Sequence, residues 1–567
     1  MHSYVRPDQF VLLRLPNELT RIQKVTPNTM IYLGKFGSFP ANQIIGRPFY
    51  LTFDILETST EKDGSCLRVV PAAELHAESL IAEGEADGDE PDYNPDGTPL
   101  RTNREIVDDA STQKLTWEEI EALKKEAGGS GREIIAKILD SHSAIDQKTA
   151  FSLAKYTLRK RRKYMKRFTI LPLDVSLLTN YMMQDNKDAV KIMEMRDECI
   201  GLVGCWANVH HSGATSMEQM LASKPNGRYL VVDDTGGLMV AAMAERMGIL
   251  YPHDGENYEE DETAPAEQSE TTTANEAENT AVQRPSRPSQ MSATENTITL
   301  IHPHKQPNLS LLKFFGYEQH DPYETHPLFT NLKTISWLQL LEPNSDLLYA
   351  EEPESLSEQE LSTMKTSRRS QYFRKRTRWA RVKQAVDETR AGGFDGLVVA
   401  TLMDPETVLK HTVPLLAGSA PVVVYSPTVE PLTNLMDLYS TARKTAYINR
   451  KQELKQQEQL SNNSGGGNDF PELEEEFGLN PTLLLASALE TSRVRHWQVL
   501  PGRTHPLMSG RGGAEGYIFH ATRVLPTERE IQAAGNPSRK RRKVTTTTST
   551  PTPTADSASG VDVEMKA

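Results

Sequence analysis

The pattern of apolar and polar positions changes period along the chain. Within residues 1–75, apolar residues fall in short runs at 9–15, 29–35, 48–56 and 67–70, rich in β-branched, aromatic and leucine side chains. Turn formers such as Pro16-Asn17, Pro27-Asn28 and Asp63-Gly64 separate the runs. In the third run Phe49, Leu51, Phe53 and Ile55 alternate with Tyr50, Thr52 and Asp54, which predicts a strand with one apolar face. Four or five such strands predict a small β-barrel or sandwich over residues 1–81. The period then becomes helical. Thr116 and Glu119 make a capping-box pattern ahead of Ile120 and Leu123. The sequence GGSG at 128–131 ends that helix, and Ile134, Ile135, Ile138 and Leu139 recur at core spacing in a second one. Two helices around a glycine turn also fit a helix-turn-helix DNA reader, but only the glycine turn favours that over a helical linker.

From residue 168 the pattern is α/β. YLVVD at 229–233, the run at 298–301, GLVVAT at 396–401 and VVVY at 422–425 are continuous apolar stretches with helical sequence between them. Such runs are what strands buried on both faces look like, so a mainly parallel sheet with helices on both faces is expected. Segments 496–500 and 516–524, joined by PGRTHPLMSGRGGAE, suit an antiparallel pair at the sheet edge. Polar stretches interrupt the pattern. Residues 82–103 read as a disordered linker and 104–167 as a helical segment with a basic run. Residues 168–527 are the α/β domain, with disordered inserts at about 252–297 and 451–471, and 528–567 form a disordered tail. The first insert carries eleven acidic residues against Arg284 and Arg287, with scarcely an aliphatic side chain to offset chain entropy.

Composition sharpens this picture. Hydrophobic residues are 37% of the 567 and mean hydropathy is −0.52, low for a chain folded from end to end. The net charge of −14 argues against nucleic-acid binding until the charges are seen to be segregated into blocks. Three cysteines are too few for a disulfide scaffold, no apolar run approaches the ~20 residues of a membrane helix, and the N-terminal residues lack a secretory h-region. A soluble intracellular protein with no membrane partner is expected.

Residues 155–167, KYTLRKRRKYMKR, hold eight cations in thirteen positions and no acid; residues 365–383 hold nine cations and no acid. Cations at this density repel one another unless a polyanion neutralises them, and phosphate is the commonest such partner. The candidate contacts are Arg159, Lys160, Arg161, Arg162, Lys163, Lys166 and Arg167, with Arg374, Lys375, Arg376 and Arg378 as a second set. Interleaved Tyr156, Tyr164, Tyr372, Phe373 and Trp379 either stack on exposed bases or anchor the segments to their own domain. A solvated helix face is the bland alternative for each run. Arg539, Lys540, Arg541, Arg542 and Lys543 lie in the tail and suit a nuclear import signal.

A glycine turn follows YLVVD, but it has two adjacent glycines where a cofactor cradle generally has three spaced ones, and Leu238 and Met239 follow where small residues are wanted. Cys199 and Cys205 lack a second ligand pair, and His302, His304, His210 and His211 lack a matching cluster, so no metal is expected. No nucleophile elbow or P-loop occurs.

NREIVDDASTQKLTWEEIEALKK at 103–125, the basic run at 155–167, RYLVVDDTGGLMVAAMAERMG at 228–248, and WQVLPGRTHPLM at 497–508 followed by GGAEGYIF together resemble the non-catalytic subunit family of the tRNA (adenine-58) N1-methyltransferase. The resemblance implies a small N-terminal β-barrel and a Rossmann-like methyltransferase-type domain with a degenerate cofactor site. It implies a catalytic methyltransferase partner that carries the S-adenosylmethionine site, two of each chain in a heterotetramer, and tRNA as the substrate bound. No cofactor is then expected in this chain. The family's catalytic paralogue has a G-T-G-S-G-like turn and an aspartate after a strand; here Asp233-Asp234-Thr235-Gly236-Gly237-Leu238 and Thr401 stand there, with Asp404 three residues on. A threonine cannot take up a proton from adenine. Arg503 and His505, in a glycine-rich loop at the former active-site rim, join the tRNA candidates, with turn architecture as their alternative. Two further readings stay open: an active methyltransferase with an unusual cofactor turn, and a nuclear RNA-binding or scaffold protein with no such partner.

Overall fold

The computed structural model describes residues 3–525 apart from 57–65, 76–112, 127–130, 144–149, 185, 212–226, 252–295, 322–323, 461–469, 493, 495–496, 501–502 and 507–514. The expected linker at 82–103, nearly all of the acidic insert, and the tail with its basic run lie outside the described residues.

The N-terminal sheet contains β1 (Phe10–Arg14), β2 (Thr20–Lys24), β5 (Thr52–Leu56), β6 (Cys66–Val69) and β7 (Arg167–Pro172), while β3 (Met30–Tyr32) and β4 (Ser38–Pro40) form a separate hairpin. The five strands run in the order β2-β1-β7-β5-β6. Among the described residues the edge strands β2 and β6 do not pair, so the sheet is open and the expected barrel is not closed. A lid replaces closure. Ile31, Leu33, Phe36, Phe39, Ala41 and Ile44, from the hairpin and its flanking turns, cover Val11, Leu13, Phe53, Ile55, Phe168 and Ile170 of the sheet. Phe168 stacks on Phe39 with ring centroids 4.5 Å apart.

β7 is central to this sheet, pairing with both β1 and β5. The expected boundary at residue 168 is therefore displaced, because the strand at 168–172 completes the N-terminal unit. The helical segment is an insertion between β6 and β7, containing α1 (Trp117–Glu126), α2 (Arg132–Asp140) and α3 (Ala150–Tyr164). The capping box forms: the Glu119 amide donates to the Thr116 hydroxyl at 3.3 Å and the Thr116 amide to the Glu119 carboxylate at 2.8 Å. Ile134, Ile135 and Ile138 pack against Tyr164 and Met165 at the end of α3.

The second sheet has seven strands: β8 (Arg228–Asp233), β9 (Thr297–His302), β10 (Leu332–Ser336), β11 (Gly396–Ala400), β12 (Pro421–Ser426), β13 (Leu484–Thr491) and, after the hairpin β14 (Trp497–Leu500) and β15 (Arg503–Pro506), β16 (Tyr517–Arg523). Their spatial order is β10-β9-β8-β11-β12-β16-β13. β8 to β12 are mutually parallel and β16 is antiparallel to both neighbours. Starting from β8 at the centre, the chain first fills one side and then the other, a doubly wound Rossmann-like order whose switch point falls between β8 and β11. The edge pair differs from expectation. β13, not the segment at 496–500, pairs with β16, and 497–500 folds back on β15.

α4 (Val175–Met182), α5 (Asp197–Trp206) and α6 (Leu238–Met247) cover one face of this sheet; α6 is apolar on nearly every side, and all its residues but Glu245 and Arg246 are buried. Leu12 and Leu171 of the N-terminal sheet join that core, and Phe10 meets Phe314 edge-on at 5.4 Å. The opposite face is covered by the end of α7 (Thr366–Ala391), through Ala385 and Val386, among other helices. α8 (Thr441–Leu460) overturns part of the expected disordered insert at 451–471. Tyr447 and Leu454, seven residues apart, pack on Leu473 and Phe477 of α9 (Pro471–Phe477), and that contact holds an otherwise polar helix.

Candidate nucleic-acid interface

The switch point is where a doubly wound sheet ordinarily receives a ligand. Here it is tied shut by its own side chains. Asp233, at the end of β8, is buried and accepts from the Thr235 amide at 2.6 Å, from the Thr235 hydroxyl, and from the Val240 amide at 3.3 Å. The Thr235 hydroxyl also receives the Met239 amide at 3.1 Å, so the Met239 and Val240 N–H groups in the first turn of α6 are taken. Burial pushes the Asp233 carboxyl up to about 6, against the lowering effect of those hydrogen bonds. Asp234 accepts from the Leu402 amide at 2.9 Å and from the Thr401 hydroxyl, bridging the ends of β8 and β11. Asp404 caps the next helix, accepting from the Glu406 amide at 3.3 Å.

Gly236 and Gly237 both adopt positive φ, at 74° and 90°. Their open side faces the segment 309–312. A Cβ on Gly237 would sit 3.2 Å from the Leu309 Cα and 3.4 Å from the Leu312 Cγ, and the Leu311 amide donates to the Gly236 carbonyl at 3.0 Å. The backbone surface that a glycine turn would offer to a ligand is occupied by residues 309–312. His302 stands at the end of β9, where a Rossmann site places the acidic group that holds a ribose.

The first basic run forms the C-terminal part of α3 and the link into β7. Two of its members meet acids that are remote in sequence. Arg162 pairs with Glu18 at 2.5 Å, and the Arg167 Nε donates to Asp54 at 2.7 Å. Asp54 is fully buried and also receives Arg68 at 2.6 Å and Arg132 at 3.3 Å. Glu74 adds a second carboxylate to Arg68 and Arg132. With an 11% exposed side chain held by a buried carboxylate, Arg167 joins β5 to β7. Asp54 itself was missed, since its alternation with Phe53 and Ile55 marks it only as the polar side of a strand. Lys160 and Lys163 lie over the rings of Tyr156 and Tyr164. Arg159 and Lys163 are exposed and form no ion pair among the described residues; Lys160, Arg161 and Lys166 are half-buried.

α3 and β14 of the hairpin come within 8 Å of each other, and β15, the strand that carries Arg503 and His505, pairs with β14. Backbone pairing sets Arg503 opposite Leu500 and His505 opposite Gln498. The hairpin follows the carboxyl end of β13, which points the same way as β8 to β12.

The second run forms the first two-thirds of α7. Arg228, at the start of β8, donates to the Gly392 carbonyl at 3.1 Å and the Glu388 carbonyl at 3.4 Å, which fixes the end of α7 at the amino edge of the sheet. A 26-residue helix is about 39 Å long, whereas β11 with 5 residues spans about 16 Å. The amino-terminal half of α7 therefore projects beyond the carboxyl edge, the same rim that carries the switch point and the hairpin. Arg368, Arg369, Arg374, Lys375, Arg376 and Arg378 are all exposed there, with no ion pair among the described residues; Arg381, one turn further, is held by Glu324.

Among the described residues no group of histidine, cysteine and acidic side chains could hold a metal ion, and no helix is long and apolar enough to cross a membrane. Cys199 is buried and its thiol is pushed up to about 11 by burial.

The seven-stranded sheet with helices on both faces and its switch point between β8 and β11 defines a doubly wound, Rossmann-like α/β protein. The chain belongs to the Gcd10p family, whose model matches residues 4–365. It is 67% identical over all of its length, and all of the relative's, to the protein of Aspergillus oryzae named tRNA (adenine(58)-N(1))-methyltransferase non-catalytic subunit. Identity to the protein of the same name from Schizosaccharomyces pombe is 28%, over 96% of this chain and 97% of that one. Among solved structures, a tRNA (m1A58) methyltransferase from Aquifex aeolicus overlaps 92% of this chain and 100% of its own at 9% identity, with a TM-score of 0.35.

Proposed function

We propose that this chain is the non-catalytic, tRNA-binding subunit of a tRNA (adenine-58) N1-methyltransferase, working beside a catalytic partner that binds S-adenosylmethionine. Family membership and the names of its relatives support the assignment. The observation that carries the non-catalytic part is the approach of residues 309–312 onto Gly236 and Gly237. Three features support a turn without S-adenosylmethionine: the glycine backbone is covered, the Met239 and Val240 N–H groups of α6 are taken by Thr235 and Asp233, and His302 stands where a ribose-binding carboxylate would be. Thr401, bound to Asp234, offers no carboxylate for proton uptake.

The task left to the chain is to hold folded tRNA. Arg159, Lys160, Arg161, Arg162, Lys163 and Lys166 on one side of the carboxyl rim and Arg374, Lys375, Arg376 and Arg378 on the other would grip backbone phosphate, with Arg503 and His505 beside the first group. Phosphate contacts position the nucleic acid without reading its sequence. The partner then reaches a loop base on tRNA that this chain keeps in place. Two copies of each chain, in the nucleus, complete the proposal; the run from Arg539 to Lys543 supports the location.

Calorimetric titration of the purified full-length chain with S-adenosylmethionine tests the reading. No binding heat is expected from this chain, and stoichiometric binding would overturn it.

A further inference from the structure

The two basic runs contain five aromatic side chains, and their placement separates anchors from free rings. Tyr164 is buried against α2, and Tyr156 is half-buried with its ring edge-on to His142 at 5.1 Å. Tyr372 accepts the Leu356 amide at 3.2 Å, and the Trp379 Nε1 donates to the Tyr349 carbonyl at 3.2 Å. These four tie the runs to their own domain. Phe373 does not: it is 47% exposed, on the part of α7 that projects past the sheet, and among the described residues its one ring contact is with neighbouring Tyr372, at 5.4 Å between centroids. Helical spacing puts Arg369 four residues before it and Arg376 three residues after it, on the same face.

We propose that Phe373 is a base-stacking residue, taking an unpaired nucleobase onto its ring while Arg369 and Arg376 hold the phosphates on either side. The inference rests on the tRNA-binding reading and adds an element that reading lacks, a contact that distinguishes looped-out nucleotides from duplex. An exposed phenylalanine would also suit an apolar protein partner. RNA is favoured because the ring sits within nineteen residues that contain nine cations and no acid. An unpaired nucleotide within an RNA strand offers a base π-face for the ring and a backbone phosphate on either side for the two guanidinium groups, so it satisfies all three side chains. Among the described residues Phe373 belongs to none of the hydrophobic core clusters, so its removal is expected to act on binding rather than on the fold.

The test measures the affinity of the full-length chain for unmodified tRNA and for a fully paired RNA duplex of similar length, across a salt series. Phe373→Ala is expected to weaken tRNA binding by roughly 5- to 150-fold, the range that alanine substitution of a stacking aromatic gives. Duplex binding should change little. The slope of log affinity against log salt should stay at the wild-type value, because no counterion contact is lost. Phe373→Trp should restore tRNA binding. Unchanged tRNA affinity, or an equal loss on duplex, would overturn the stacking assignment. Arg374→Ala/Lys375→Ala keeps the two proposals apart: a flatter salt slope in that variant alongside an unaffected Phe373→Ala leaves phosphate binding standing and removes only the stacking. A protein partner would show as loss of complex assembly with tRNA affinity intact, and that too would overturn it.

Discussion

The Thr401 hydroxyl donates to the Asp234 carboxylate across the ends of β8 and β11, so the polar groups at the switch point are engaged with one another. The same carboxylate takes the Leu402 amide, so the loop after β11 is pinned to the loop after β8. Because φ is positive at Gly237 and Leu309 is already close, Gly237→Ala should cost about 1–3 kcal/mol of stability. The check is urea unfolding; tRNA affinity of the folded variant should be unaltered.

Asp233 gives a prediction in pH. Its folded-state value, about 6, lies above the ordinary aspartate value of about 3.9. The unfolded chain therefore ionises first as pH rises, and stability that is fully present below about 4 is lost up to about 6. Compared with Asp233→Asn, the wild-type chain should lose roughly 2 kcal/mol between those limits and nothing further above pH 7. Unfolding curves of the two proteins at pH 4, 5, 6 and 7 measure the difference. A constant difference would show that Asp233 does not titrate there.

Gly131 couples the fold to the first basic helix. It opens α2 with φ at 89°, and a Cβ there would lie 2.1 Å from the Tyr164 carbonyl oxygen at the end of α3. Backbone cannot yield as a side-chain tip can, so Gly131→Ala should push α3 off α2. The expected result is a loss of about 2 kcal/mol or more together with weaker tRNA binding, although no cation is changed. Normal tRNA affinity in a destabilised variant would separate α3 from the interface.

Cations within the first run should behave differently from one another. Arg159→Ala/Lys163→Ala removes two exposed charges and should flatten the salt slope by about two units with stability kept. Arg167→Ala should leave the slope alone and destabilise the N-terminal sheet, since Asp54 is buried and loses one of three arginines. Filter binding across a salt series and thermal unfolding distinguish the two patterns.

These pairings show why some features were legible in sequence and others were not. YLVVD, GLVVA and VVVY announced the parallel sheet because strands buried on both faces are apolar at every position. The capping box of α1 was legible because it is local. Glu18 and Asp54 were invisible as partners of the basic run, lying 144 and 113 residues from Arg162 and Arg167. The strand at 167–172 carries no mark of the sheet it joins, since pairing with β1 and β5 is a long-range choice. α8 is polar over most of its surface, and only the spacing of Tyr447 and Leu454 hinted at a packed face. The filling of the glycine turn by residues 309–312 is a tertiary contact that the two adjacent glycines suggested but did not identify.

The central claim, that this chain binds tRNA and leaves the chemistry to a partner, is tested most directly by transfer of a labelled methyl group from S-adenosylmethionine to unmodified tRNA. The assay is run on the purified chain alone and again after adding the proposed catalytic methyltransferase partner. The account predicts no transfer by this chain alone, and transfer at adenosine 58 by the pair that falls when Arg159 and Lys163 are replaced by alanine. Methylation by this chain on its own would contradict it.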